Sequence, residues 1–312
     1  MSSVERDLRP VLIAGPTASG KSALAMAIAE RTGGAIINAD SMQVYRELRT
    51  LTARPSPEEE ARVPHALYGM VPASEAYSAG RFVRDAAVAI AAARAEGRRS
   101  IIVGGTGLYF KALLEGLSPI PEIDPDVRAY WRAEGERLGA AALHDELAKR
   151  DPVMAARLSP SDLQRVTRAL EVIQSTGQSL SYWQSLRGEP VIAEGETVRL
   201  VVASERAEMH ARADARVDRM MREGAIEEVR ALSELQLDPE LPAMRAIGVR
   251  PLLRFLGGEG GLEDAVEGTK AETRQYIKRQ ETWLRRHMIS WKPVTTKETE
   301  SSMRDIFAFI DR

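Results

Sequence analysis

The chain of 312 residues contains no cysteine. That excludes disulfides, a thiolate nucleophile and any cysteine-based zinc site. No run of about 18 uninterrupted apolar residues occurs, so no segment reads as a membrane span. Met1 to Arg9 are polar and charged, without the apolar centre of a secretory signal, and the expected location is the cytoplasm. An excess of one charge is missing too: 43 basic against 45 acidic residues leave a formal net charge of −2. Any nucleic-acid contact must therefore come from local basic patches. There is no internal repeat and no low-complexity tract. The remainder, 44% hydrophobic and 28% charged, is that of an ordinary globular protein with room for one large domain or two modest ones.

Against this plain background Gly15-Pro16-Thr17-Ala18-Ser19-Gly20-Lys21-Ser22 matches the phosphate-loop pattern G-x-x-x-x-G-K-[ST] at every fixed position. Val11–Ala14 reads as a buried strand entering the loop, and Ser22–Ala29 as a helix leaving it that Gly33-Gly34 can stop. Such a loop wraps backbone N–H groups around a di- or triphosphate at the positive end of the helix. Lys21 would neutralise the outer phosphates, and the Ser22 hydroxyl would ligate Mg²⁺.

The first ~117 residues alternate strand and helix patterns, as a parallel α/β sheet requires. Ala35–Ala39 reads as a second strand ending at Asp40, Ala79–Glu96 as a helix, and Ser100–Val103 as a strand running into Gly104-Gly105-Thr106-Gly107. The expected fold is α/β: a P-loop NTPase-like core with a parallel sheet, formed by residues 1–117 and 198–312, plus an all-helical insertion at 118–197. In that insertion Ser159-Pro160 reads as a helix start and Gly177 as a stop. Val198–Ala203 reads as a returning strand, and helical stretches near Ala207–Leu235 and Ala265–Met288 close the chain.

P-loop hydrolases usually place a metal-binding Asp at the end of a hydrophobic strand, whereas Ile101-Ile102-Val103 ends in Gly104-Gly105-Thr106. A small-molecule kinase is the surviving alternative from the loop alone, with Asp40 as the base for an acceptor hydroxyl. The tail points elsewhere. Between Lys270 and Arg286 there are six basic residues and two acidic ones. On a helix, Arg274, Lys278 and Arg285 share one face, while Ile277, Leu284 and Met288 line another. With Arg245, Arg250 and Arg254 upstream, this reads as an anchored helix contacting a phosphate backbone; a solvated surface helix is the alternative.

GPTASGKS at Gly15–Ser22, NADSMQVY at Asn38–Tyr45, HALYG at His65–Gly69, GGTGLY at Gly104–Tyr109 and DLQRVTRALE at Asp162–Glu171 together resemble the tRNA dimethylallyltransferase family. RAIGVR at Arg245–Arg250 and TRQYIKRQETWLR at Thr273–Arg285 extend the resemblance over nearly the whole chain. It implies transfer of a dimethylallyl group, with Mg²⁺, from dimethylallyl diphosphate to the exocyclic amine of the adenosine 3′ of the anticodon. The chain lacks the DDxxD motif by which many isoprenoid synthases bind metal, and the loop at Gly15–Ser22 can take over stabilisation of the departing diphosphate. Asp40 is then the candidate general base, with helix capping as its alternative role. The resemblance puts Thr106 near the bridging oxygen, where a turn role is equally open, and Arg216 on the diphosphate, where a surface ion pair is equally open.

By the same resemblance the tRNA anticodon stem-loop meets Asp40-Ser41-Met42-Gln43, Arg128 and Gln164-Arg165-Val166-Thr167-Arg168. It also meets Arg245-Ala246-Ile247-Gly248-Val249-Arg250 and Lys278-Arg279-Gln280-Glu281-Thr282-Trp283-Leu284-Arg285. The 118–197 segment has nine basic and 13 acidic residues, so its contacts must be few, with Arg128, Arg165 and Arg168 foremost. Leu51-Thr52-Ala53-Arg54-Pro55 departs from the GTAKP-type stretch of many members, which leaves a substrate role for Arg54 open. The cysteine-free end at Arg312 resembles the bacterial type, without the zinc-finger tail of many eukaryotic members. A monomer is expected, because one chain holds every needed element.

Overall fold

Apolar runs at β1 (Val11–Ala14), β2 (Ala35–Asn38) and β4 (Ser100–Gly104) are buried along their whole length. That is the pattern of strands covered on both faces of a parallel sheet. The structure, a computed structural model, describes residues 7–193, 195–295 and 301–310; the sequence reading of Met1–Arg9 thus lies mostly outside the described residues.

The chain divides into two units, residues 1–114 with 191–312 and residues 115–190. In the first, β1 leads to α1 (Lys21–Thr32), β2 to α2 (Pro57–Arg62), β3 (His65–Ala66) to α3 (Ala79–Ala95), and β4 to α4 (Gly107–Glu115). The second holds α5 (Pro125–Arg150), α6 (Pro152–Ala155), α7 (Leu163–Thr176) and α8 (Leu180–Ser185). The first unit then resumes with β5 (Val198–Ala203), α9 (Arg206–Arg222), α10 (Ala225–Glu234), α11 (Val249–Leu256), α12 (Leu262–His287), β6 (Lys292–Thr295) and α13 (Ser301–Ile310).

Every strand pairing is parallel, in the order β3-β2-β4-β1-β5-β6. Side chains alternate between two cores. Val11, Ile13, Ile36 and Ile101 face one that includes α1 and α13, while Leu12, Ile37 and Ile102 face another that includes Tyr45, Phe82 and Phe110. In the helical unit, α5 and α7 pack around Trp131, Leu143, Leu147, Val166 and Leu170, and α5 kinks at Gly139 where φ is +79°.

Several sequence expectations shift. Val191 and Ile192 donate to Leu113 O and pack in the sheet unit, so residues 191–197 belong with it rather than with the insertion. Ser159-Pro160 sits in a turn; the helix starts with Asp162, whose carboxylate accepts from Arg165 N–H. The stretch 207–235 is two helices, broken at Gly224 with φ +97°. Strand β6, which the sequence patterning does not mark, lies at the sheet edge, where its Pro293 is tolerated.

Candidate active site

In the sheet Ala14 is level with Gly104, and Asn38 with Val103. The loops that follow β1, β2 and β4 therefore leave it side by side at the strands' carboxyl ends, where open α/β sheets bind ligands. Backbone bonds knit them together: Gly15 N–H to Gly104 O at 3.3 Å, Ala39 N–H to Val103 O at 2.8 Å and Thr106 N–H to Ala39 O at 3.3 Å. The approach is close enough that a Cβ on Gly104 would strike the Ala39 backbone, and one on Gly107 the Trp283 ring. Gly104 and Gly107 are thus required for close packing.

Asp40 follows β2. The buried amide of Asn38 accepts from Asp40 N–H at 2.8 Å and donates to Asp40 O at 2.9 Å and Leu67 O at 3.0 Å. Asp40 Oδ1 accepts from Met42 N–H at 2.9 Å in a loop, not at the start of a helix, so the capping role falls away. Thr106 Oγ1 accepts from Ser41 N–H at 3.0 Å, which joins the same loop to the end of β4. Asn38 was not singled out from sequence, although a polar residue closing an apolar strand was the available signal.

The phosphate loop is organised from the far end of the chain. Thr17 N–H donates to Gln280 Oε1 at 2.8 Å, and Gln280 Nε2 donates to Gly105 O at 3.1 Å. Lys21 Nζ donates to Pro16 O at 3.1 Å. The first-turn amides of α1 have no partner within the helix and remain for an anion. Desolvation pushes the Lys21 ammonium down to about 8, opposed by Asp40 and assisted by Arg216. Arg216, from α9, is likewise pushed down by burial and opposed by Asp40. It makes no ion pair among the described residues, so the surface-ion-pair reading of Arg216 is not what the structure shows.

Asp40, Arg216, Arg245, Arg279, Tyr276 and Thr17 line one cavity of about 200 Å³ with Ser41, Met42, Ala246 and Ile247. One carboxylate and several cations thus converge at the strand ends. Among the described residues no cluster of three acidic or histidine groups could hold a metal by itself. Ser22, exposed at the first turn of α1, offers a single hydroxyl.

The remaining sequence-selected residues sort by burial. Lys278, Arg279, Thr282, Arg285, Arg250, Gln164 and Arg165 are exposed. Arg128, Arg168 and Trp283 are half-buried. Arg245 and Arg250 both reach Glu240, Arg165 pairs with Asp162 at 3.1 Å, and Arg168 pairs with Glu171 at 3.0 Å. Val166, Thr167, Val249, Gln280 and Leu284 are buried and cannot serve as surface contacts; they hold their exposed neighbours in place. Ala246 is buried as well but lines the cavity. Gln43 donates to Thr52 O and Ala53 O, and Glu281 pairs with Arg206 at 3.0 Å, so both act within the fold. Arg54 donates to Tyr45 O and Arg46 O, lies against Gly69 and does not line the cavity. Its role is to brace the loop that carries Gln43.

Gln280→Ala leaves the Thr17 N–H and the Gly105 carbonyl without their partner. With about 1–3 kcal/mol for each of the two unsatisfied groups, it should lower unfolding stability by about 2–6 kcal/mol, read by urea denaturation. An unchanged midpoint would show that the bridge contributes nothing.

Comparison with known proteins covers both halves of this arrangement. A family model described as IPP transferase matches residues 43–287, and one described as isopentenyl transferase matches residues 9–65. The chain is 55% identical over 303 residues to a tRNA dimethylallyltransferase of Parvibaculum lavamentivorans, covering 97% of this chain and 96% of that protein. It is 53% identical to one of Nitrobacter hamburgensis, covering 94% and 92%. Among solved structures, a tRNA isopentenylpyrophosphate transferase from Bacillus halodurans matches with TM-score 0.70 at 34% identity, covering 97% of this chain and 95% of that one. A eukaryotic dimethylallyltransferase acting on tRNA matches with TM-score 0.78 at 29% identity, covering 95% and 77%.

Proposed function

This chain belongs to the tRNA dimethylallyltransferase family, and from that premise we propose how its residues carry out the reaction. It transfers a dimethylallyl group from dimethylallyl diphosphate to the exocyclic amine of an adenosine in tRNA, the one 3′ of the anticodon. The amine is a weak nucleophile because its lone pair is delocalised into the ring. As N6 bonds to C1 of the donor, the C1–O bond breaks, the amine proton passes to the Asp40 carboxylate and diphosphate departs. General-base help of this kind is typically worth about 10²–10⁴-fold.

The observation that carries the reading is the convergence of Asp40 with Arg216 on one cavity wall, next to the desolvated Lys21. Lys21, Arg216 and the first-turn amides of α1 would meet the charge that builds on the leaving oxygens. Thr106, whose Oγ1 accepts from Ser41 N–H, would give its hydroxyl proton to the same oxygens. Ser22 would give Mg²⁺ one oxygen, the others coming from diphosphate and water, in keeping with the ion's habit at phosphate sites; bound there, Mg²⁺ supplies further charge neutralisation. To reach the cavity the adenosine must leave the anticodon-loop stack. The exposed Arg250, Lys278, Arg279, Arg285, Gln164 and Arg165 are the contacts we assign to the stem-loop. No described helix is long and apolar enough to cross a membrane, and we place the protein in the cytoplasm as a monomer.

The test is mass spectrometry of nucleosides from unmodified tRNA incubated with the protein, dimethylallyl diphosphate and Mg²⁺, which should reveal a prenylated adenosine. Phosphoryl transfer from labelled ATP to a small acceptor, with the RNA untouched, would overturn it in favour of a kinase.

A pH prediction follows from Lys21. Its folded-state value lies below the ordinary lysine value, near 8, so in the free enzyme the ammonium is lost as pH rises through about 8. Since kcat/KM reports the free enzyme, kcat/KM for the donor should fall about tenfold per pH unit above that point. Bound diphosphate favours the ammonium, so the limb in kcat should lie higher. Lys21→Arg should remove the limb within the measurable range, because guanidinium stays charged.

A further inference from the structure

Tyr276, on α12, lines the same cavity as Asp40 and has no part in the chemistry above. Its hydroxyl lies within hydrogen-bonding reach of Thr106 and Gln280. Gln280 can donate to the phenolic oxygen, whereas the single proton of Thr106 is the one assigned above to the leaving oxygens. Gln280 has an amide hydrogen free for this, since its other one serves Gly105 O. With Gln280 donating to that oxygen, the phenol's own proton is available to an acceptor in the cavity that Tyr276 lines. Burial, then the nearby Asp40 carboxylate, push the phenol up, so at neutral pH it is a donor. The Arg279 guanidinium, 5.4 Å from the ring centroid, holds the ring from one face.

We propose that Tyr276 reads the target base: while Asp40 accepts from the amine of adenine, the Tyr276 hydroxyl donates to the adjacent ring nitrogen, N1 on one edge or N7 on the other. Adenine offers a donor beside an acceptor on either edge, which an acceptor carboxylate next to a donor hydroxyl complements. Guanine puts the O6 carbonyl where the amine would be, opposite the carboxylate, and is rejected. The proposal rests on the prenyl-transfer reading and on Asp40 as the base.

The experiment uses short anticodon stem-loop RNAs carrying adenosine, 1-deazaadenosine or 7-deazaadenosine at the target, with the native protein and Y276F. Native turnover of the adenosine RNA reports on the activity itself, apart from the other arms. One deaza analogue should lose about tenfold in kcat/KM with native protein, and Y276F should lose about as much on adenosine. Combined, the two changes should cost no more than either alone, with KM for dimethylallyl diphosphate unchanged. The assignment is overturned if neither analogue loses activity with native protein, an outcome independent of how Y276F folds. It is overturned equally if Y276F matches native kcat/KM, if the two losses multiply, or if the loss sits in the donor KM, which would put the phenol on the diphosphate.

Discussion

Asp40→Ala should reduce kcat by about 10²–10⁴, the range a positioned general base supplies, while both substrates still bind. The expectation rests on how the carboxylate is held. Asn38 grips the Asp40 backbone through both N–H and C=O, and Oδ1 is engaged by Met42 N–H. Only the proton-accepting function is lost in Asp40→Asn, which retains an oxygen for Met42 and should fall within the same range. Single-turnover kinetics with pre-bound donor and tRNA isolate the chemical step from binding. Near-native turnover in either variant would remove Asp40 from the role of base. Asn38→Ala should show a milder loss in the same assay, because it loosens the backbone that aims Asp40 without deleting the carboxylate.

Lys21→Ala should lower kcat by about 10²–10³, comparable to removing one donor from a preorganised anion site. The site is desolvated, so the charge acts at low effective dielectric and its removal is poorly replaced by water. Arg216→Ala should act on the same departing diphosphate. Because both cations share Asp40 as electrostatic neighbour, their effects should be non-additive. The double variant should thus lose measurably less, or more, than the product of the single losses. Strict multiplicativity would mean that Arg216 and Lys21 serve different groups. Dimethylallyl diphosphate affinity by calorimetry separates lost ground-state binding from lost transition-state stabilisation.

Much of the site was legible because its parts are local. Eight consecutive residues make the phosphate loop, and the strand and helix flanking it follow from apolar patterning. Asp40 could be picked out because a carboxylate at the end of a buried strand lands where α/β sheets bind ligands. Arg216 could be named only through resemblance, since nothing local separates it from the other arginines of α9. Contacts over long separation were not legible. Gln280 meets Thr17 across 263 residues of chain, and from sequence it looked like one more polar residue on a basic helix. The ranges at 245–250 and 278–285 mixed surface and core residues, because a motif records neighbours along the chain while burial depends on helix phase against a particular neighbour.

The sequence by itself therefore determined the local features on which the proposed chemistry rests, an amino-terminal phosphate-loop motif and a carboxylate at the end of the next strand along the chain. Those features are written in residue type and short spacing, and local propensity and periodicity suffice to form them. The tertiary structure alone decided which of the many charged side chains face the cavity, that Gln280 closes the phosphate loop and that Arg54 is a brace. Such roles depend on which surfaces are removed from water when distant segments pack, and burial of that kind has no signature in a single stretch of chain.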